Sequence, residues 1–249
     1  MKIVYHPRYQ EVYASDPAAK AGRMESILKE VSPHFELLTP EPASIDDIKL
    51  VHTNWHIADI QRMSQTYEVA LLAAGGAIKA AELAMSGEPA LGLIRPPGHH
   101  ASPDSCWGFC FFNNVAISIA RLRVEGSINR AVILDFDLHF GDGTDNIFSR
   151  VSEVVYHHPE DRNRQDFVDG ISKFLDEQRA DIIAVSAGFD RHVDDWGGLL
   201  TTEDYQTIGK LVKEFSERVC QGRRYGVLEG GYNHDVLGKN VKAFLDGIS

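Results

Sequence analysis

Cysteine is scarce in this chain: Cys106, Cys110 and Cys220 are the three among 249 residues. So few, so spaced, give no disulfide framework and suit a reducing compartment. Long apolar runs are missing too. None reaches the roughly 18 residues of a membrane-crossing helix. The start, Met1-Lys2-Ile3-Val4-Tyr5-His6-Pro7, has neither the apolar core nor the small-residue cleavage site of a secretion signal. A cytoplasmic protein with no membrane partner is expected. Positive charge is in deficit, with 25 Lys and Arg against 36 Asp and Glu. The net −11 argues against a nucleic-acid partner and would mildly steer cationic substrates toward the surface. There is no internal repeat, low-complexity tract or Pro/Ser-rich linker, so residues 1–249 are expected to form one domain. A 43% hydrophobic and 24% charged composition is ordinary for a globular chain long enough to bury one large core.

What is present is an alternation of short apolar runs with amphipathic stretches. Strand-like runs fall at 2–5, 91–94, 131–135, 153–156, 181–186 and 225–228. Helical patterns fall at 19–31, 45–51, 55–63, 68–86, 113–124, 165–178, 203–220 and 234–245. This βαβα order predicts an α/β fold, a mostly parallel sheet with helices on both faces. In such sheets ligands sit beyond the carboxyl ends of the strands.

The most telling stretch runs from Asp135 to Thr144, Asp-Phe-Asp-Leu-His-Phe-Gly-Asp-Gly-Thr, and closes the apolar run Ala131 to Leu134. Strand side chains alternate, so Asp135, Asp137 and His139 are expected on one face. Two carboxylates at the end of a hydrophobic strand are costly to bury unless a cation neutralises them. Two oxygens and an imidazole nitrogen suit Zn²⁺ or Fe²⁺ with a position left open. The plain alternative is an Asp-rich loop capping the next helix, with Asp142 near its start.

Three other strand ends carry chemistry. Arg95-Pro96-Pro97-Gly98-His99-His100-Ala101 presents two adjacent imidazoles on a stiff turn, a proton-shuttle pattern that surface loop histidines would equally satisfy. Asp135 and Asp142 are the acids available to accept their Nδ1 protons. Ala187-Gly188-Phe189-Asp190 offers Asp190 as a third metal ligand. A second metal would want an acid where Gly188 stands, so one ion is favoured, and Asp194 and Asp195 read as a solvated acidic loop. Glu229-Gly230-Gly231-Tyr232-Asn233 could aim Tyr232 back over the strand ends, or be a turn with an aromatic anchor.

Taken together, Arg95–Ala101, Gly108–Ala116 (GFCFFNNVA), Asp135–Thr144, Ser186–Asp190 (SAGFD) and Glu229–Asn233 resemble the zinc-dependent histone deacetylase and acetylpolyamine amidohydrolase family. The wording is closer to its class II and bacterial members. Gly22-Arg23 and Val51-His52-Thr53 add weaker support. The resemblance implies a single-domain arginase/deacetylase-like fold. It implies Asp137, His139 and Asp190 as ligands of Zn²⁺, or of Fe²⁺, and the pairs His99–Asp135 and His100–Asp142, with His100 the main proton shuttle. It further implies Tyr232 as the hydroxyl that polarises an acetamide, Gly108 and Phe109 as channel wall, Arg23 beneath the metal, and a structural K⁺ or Na⁺ near the carbonyls of Asp135, Asp137 and His139. The implied substrate is an acylated amine, an acetyl-lysine peptide or an acetylpolyamine. A ureohydrolase on the same architecture and a catalytically silent binding module are the competing readings.

The chain also departs from that pattern. The segment between the Asp-x-Asp-x-His strand and Ser186 lacks a long glycine-containing insertion, and 53–94 lacks another loop, so a shallow, open mouth is expected. Phe140 replaces a second histidine and is expected to pack inward. Trp196 replaces a Pro-Leu pair and either supplies a missing wall or is a buried structural residue. His157 and His158 read as packed or solvated loop histidines.

Overall fold

The computed structural model describes all 249 residues. Seven strands form one sheet: β1 (Lys2–Val4), β2 (Glu36–Leu38), β3 (Ala90–Gly92), β4 (Ala131–Asp135), β5 (Val154–His157), β6 (Ile182–Ala187) and β7 (Arg224–Leu228). Their order across the sheet is β2-β1-β3-β7-β6-β4-β5, and every pairing is parallel. The predicted α/β class holds, with the sheet wholly parallel. Strands β4, β6 and β7 are buried at every residue, which explains why they read as unbroken apolar runs without alternation. Strand β2 escaped the sequence reading. It is three residues at the sheet edge, two of them exposed, and leaves no apolar signature.

Helices cover the sheet in two layers. In one, α8 (Thr202–Val219) packs along α9 (His234–Ile248), flanked by α1 (Arg23–Val31) and α7 (Arg164–Glu177). In the other, α4 (Ser64–Met85) packs on α5 (Asn114–Val124) and on β3 and β7, with the short α2 (Ile45–Ile48) and α3 (Asn54–Gln61) beside it. The amphipathic α1, α7, α8 and α9 were legible from their period, while α4 is rich in alanine and buried along much of its length. The helix α6 (Asp142–Phe148), too short to carry a period, starts at Asp142, where the plain alternative reading of the Asp-rich stretch put a helix start. Side-chain caps fix helix starts where the site needs them: Asn113 accepts from Ala116 N–H at the head of α5, and Asn233 from Asp235 N–H at the head of α9. No helix is long and apolar enough to cross a membrane.

The topology has one functional outcome. Strands β3, β7, β6 and β4 are consecutive neighbours, and the segments leaving their carboxyl ends are the four that carry His99-His100, Tyr232, Asp190 and Asp135-Asp137-His139.

Candidate active site

At the end of β4 the backbone leaves the sheet after Asp135, so the expected shared face divides. Asp135 turns to His99, its Oδ2 lying 3.0 Å from His99 Nδ1. Asp137 and His139 turn instead toward Asp190. His139 Nδ1 stands 3.4 Å from Asp137 Oδ1 and 3.2 Å from Asp190 Oδ2. A tetrahedral ion with bonds of about 2.0–2.1 Å needs ligand edges of about 3.3 Å, so this donor set fits a small divalent cation. Backbone amides hold the carboxylates in place: Asp137 accepts from His139 N–H at 2.9 Å and Gly230 N–H at 2.8 Å, Asp190 from Leu138 N–H at 3.0 Å. Asp190 Oδ2 is buried against the His139 ring without a well-formed hydrogen bond, a costly state that a cation would relieve. Gly188 is required by crowding: a Cβ there would lie 2.0 Å from Asp137 Oδ2. An acid at that position, as a second metal would want, has no room.

The electrostatics of this floor centre on His139. The two carboxylates against it, Asp137 and Asp190, lift its pKa to about 10. Burial pushes Asp137 up, but charge on His99 and the His139 hydrogen bonds hold it well below the carboxylate range. Burial and the Asp137 charge push Asp190 up to about 6. Two buried acids therefore draw on positive charge at one point.

The two imidazoles of the β3 turn lie ring to ring, centroids 4.1 Å apart. His99 is paired with Asp135, whose Oδ2 also accepts the Tyr156 hydroxyl at 2.9 Å and whose Oδ1 accepts Asp137 N–H at 3.1 Å. His100 Nδ1 is 2.6 Å from Asp142 Oδ1, which leaves Nε2 as its free nitrogen. Burial opposes charge on His99, but Asp137 and Asp135 outweigh it and raise its pKa well above the ordinary value. For His100, burial and the neighbouring His99 bring the pKa down to about 4.

Above the floor a cavity of about 100 Å³ is lined by His99, His100, His139, Gly108, Phe109, Trp107, Trp196 and Tyr232, among others. Tyr232 is held by its backbone: Asp195 Oδ2 accepts both Tyr232 N–H and Asn233 N–H at 2.8 Å. The Trp196 ring stacks on Tyr232 at 4.1 Å and is 53% exposed, so it forms wall and is not a buried structural residue. Phe109 meets Tyr232 edge-on at 6.0 Å, while Phe112 is buried in the core. Arg23 is fully buried, donates to the carbonyls of Gly231 and Glu229, and lies 5.6 Å from the Tyr232 ring.

Several expectations need correction. Phe140 does not pack inward: it is 44% exposed, edge-on to Tyr156 and His158, because the chain is already turning toward α6. Asp195 is not merely solvated, since it caps the Tyr232 turn. Of the two readings open for His157 and His158 the packed one holds, the first stacked on Phe174, the second donating to the Asp137 carbonyl at 2.9 Å. That carbonyl, named for a K⁺ or Na⁺, also accepts Arg191 Nε–H at 3.0 Å. Residues unforeseen in the sequence include Tyr156, Trp107 and the buried Glu229, which accepts Gly98 N–H at 2.7 Å and His99 N–H at 3.2 Å. Trp107 and Glu229 had position as their one sequence signal, lying beside or within a motif-bearing segment, while Tyr156, in β5, had none.

A histone deacetylase domain family matches residues 17–162 and 158–248. The chain belongs to the histone deacetylase family. Similar curated proteins include a "probable deacetylase" of Methanothermobacter thermautotrophicus, 31% identical over 306 positions covering 100% of this chain and 90% of that protein. A second "probable deacetylase", from Archaeoglobus fulgidus, is 32% identical and covers 92% of this chain and 77% of its own. A "histone deacetylase-like amidohydrolase" of Pseudomonas aeruginosa is 28% identical over 89% of this chain and 73% of that one. The solved HDA15 HD domain superposes with a TM-score of 0.85 over 99% of this chain and 88% of that one. At 20% identity it attests the fold. The alignment with the Methanothermobacter protein, at 306 positions, exceeds this histone deacetylase family member's 249 residues, in keeping with the shortened loops.

Proposed function

We propose that the chain is a metal-dependent amidohydrolase that removes acetyl or another short acyl group from an amine, an acyl-lysine or an acylated polyamine. The observation that carries this is the convergence of the Asp137, His139 and Asp190 donors, with edges of 3.2 and 3.4 Å, beneath a neutral His100 held on Asp142. When bound by those three residues, Zn²⁺ or Fe²⁺ would supply Lewis acidity, lowering the pKa of water to around 7 and polarising the acyl carbonyl.

The chain's own residues do the rest. His100, neutral because burial and His99 disfavour its charge, accepts a proton at Nε2 from the attacking water and returns it to the departing amine nitrogen. Asp142 fixes the tautomer that leaves Nε2 free. Tyr232 donates its hydroxyl proton in a hydrogen bond to the acyl oxygen as that atom gains charge. Burial and the nearby Asp137 and Asp190 charges raise the pKa of this phenol, so it stays a donor at neutral pH. The cavity of about 100 Å³ has room for a short acyl group, and Phe109 and Trp196 offer apolar flanks to the methylenes of the amine. The missing room at Gly188 weighs against a dinuclear ureohydrolase.

The test is acetate release from acetyl-lysine peptides and acetylpolyamines, together with metal content by elemental analysis. Wild type should hold about one metal ion per chain and release acetate. Asp190→Ala should lose both metal and turnover. Metal-loaded wild type that hydrolyses no acylated amine would leave a binding module as the better reading, and urea release from guanidino substrates would favour a ureohydrolase.

A further inference from the structure

Trp107 takes no part in the scheme above, yet it touches both halves of the outer pair. Its ring lies over the His100 imidazole, centroids 3.9 Å apart and planes 34° apart. Its Nε1–H donates to Asp142 Oδ2 at 2.9 Å, while Asp142 Oδ1 lies 2.6 Å from His100 Nδ1. One carboxylate therefore bridges the two stacked rings. On the opposite side His100 meets His99, and along its edge the Gly108 backbone comes so close that a Cβ would lie 2.4 Å from Cδ2.

The sequence builds this bracket deliberately at the surface. Trp107 is 55% exposed, and the Asp142 side chain 38%. An exposed carboxylate with one partner is free to rotate and share its oxygens with water. A second, directional donor removes that freedom. The turn that aims the indole is itself special: Gly108 and Phe109 both have positive φ, 58° and 67°, and Cys110 N–H closes the turn on the Trp107 carbonyl at 3.0 Å. A left-handed conformation is unfavourable for phenylalanine, and it is borne where it sets both Trp107 and Phe109 at the mouth.

We infer that Trp107 is a positioning residue, which locks the Asp142 carboxylate and the His100 ring in the one mutual orientation that presents His100 Nε2 to the cavity. This rests on the shuttle role proposed for His100, so its test has one arm that needs no turnover. In the metal-free protein, the His100 Nδ1 proton, assigned by its absence from His100→Phe, should appear as a downfield signal sheltered from water. Trp107→Ala should speed its exchange by about 10-fold or more, since both the ring cover and the second donor are lost. Unaltered exchange would overturn the inference, whatever the activity.

The second arm uses the zinc-loaded enzyme on an acetyl-lysine peptide. Trp107→Phe keeps a stacking ring and removes the N–H; kcat should fall about 10-fold with KM nearly unchanged. In an Asp142→Asn background the same change should cost less than about 2-fold, because the bridge is already broken. Equal losses in both backgrounds, or a loss confined to KM, would show Trp107 acting as plain wall and end the proposal. A wild type without amide hydrolysis would refute the function reading alone, leaving the exchange arm to decide.

Discussion

The inner pair, His99 with Asp135, and the outer pair, His100 with Asp142, begin as the same two residue types joined through the same ring nitrogen, on adjacent residues of one turn. Their surroundings make them opposites. Asp135 is fully buried and already accepts from Tyr156 and the Asp137 amide, and Asp137 lies 3.8 Å from the other His99 nitrogen. Hemmed in by carboxylates, His99 holds a proton tightly. Asp142 is part-exposed, and its imidazole loses charge to burial and to the neighbour's positive charge. One imidazole is thereby held as a cation against its carboxylate; the other is held neutral, as the proposed shuttle requires. Charge on the first helps to keep the second uncharged, so the two work as a unit.

The contrast can be broken most sharply at His100. Replacing it with Ala should lower kcat by about 10²–10⁴ while metal content stays at the wild-type level, as measured by steady-state kinetics and elemental analysis. A smaller effect belongs to the inner pair: Asp135→Asn should reduce kcat/KM by about 10–100-fold, the range for residues that act through an active group's orientation. Equal losses for the two variants would dissolve the division of labour. A third effect, on stability and not on turnover, lies in the scaffold behind the outer pair. Buried His52 is 2.9 Å through Nδ1 from the Ser102 carbonyl and accepts Asn113 N–H at Nε2, so the fold needs it neutral. Burial and nearby His56 lower its pKa from 6.5 to about 3. Its contribution to stability is complete above pH 6.5 and drains away as pH falls toward 3, because the unfolded chain then binds the extra proton. Denaturant melts across that range should show a wild-type loss steeper than that of His52→Gln, by on the order of a few kcal/mol in total. Parallel slopes would remove His52 as the acid-sensitive element.

Legibility followed the same inner-to-outer gradient. Asp135, Asp137, His139 and Asp190 stand at strand ends, where an apolar run stops at an acid, and local pattern suffices to find them. The parallel α/β class was readable for the same reason, since buried strands and amphipathic helices carry their own periods. The rim was opaque. Trp107 meets Asp142 from 35 positions away through a turn of two left-handed residues, and Asp195 meets Tyr232 across 37. No period announces such meetings. Phe140 misled because burial was inferred from its apolar nature, while the chain there bends into α6 and leaves the ring at the surface.

Strand β7 is the last made and yet lies near the middle of the sheet, between β3 and β6. A growing chain emerging from the ribosome can lay down β1–β2–β3 and, separately, β4–β5–β6, but has no seam between them until residues 224–228 arrive. Glu229 and Tyr232 follow within four residues of that seam, so the strand that joins the two half-sheets and the residues proposed to complete the site come from one stretch of chain. A chain stopped short of residue 224 is therefore two half-sheets that lack Glu229 and Tyr232.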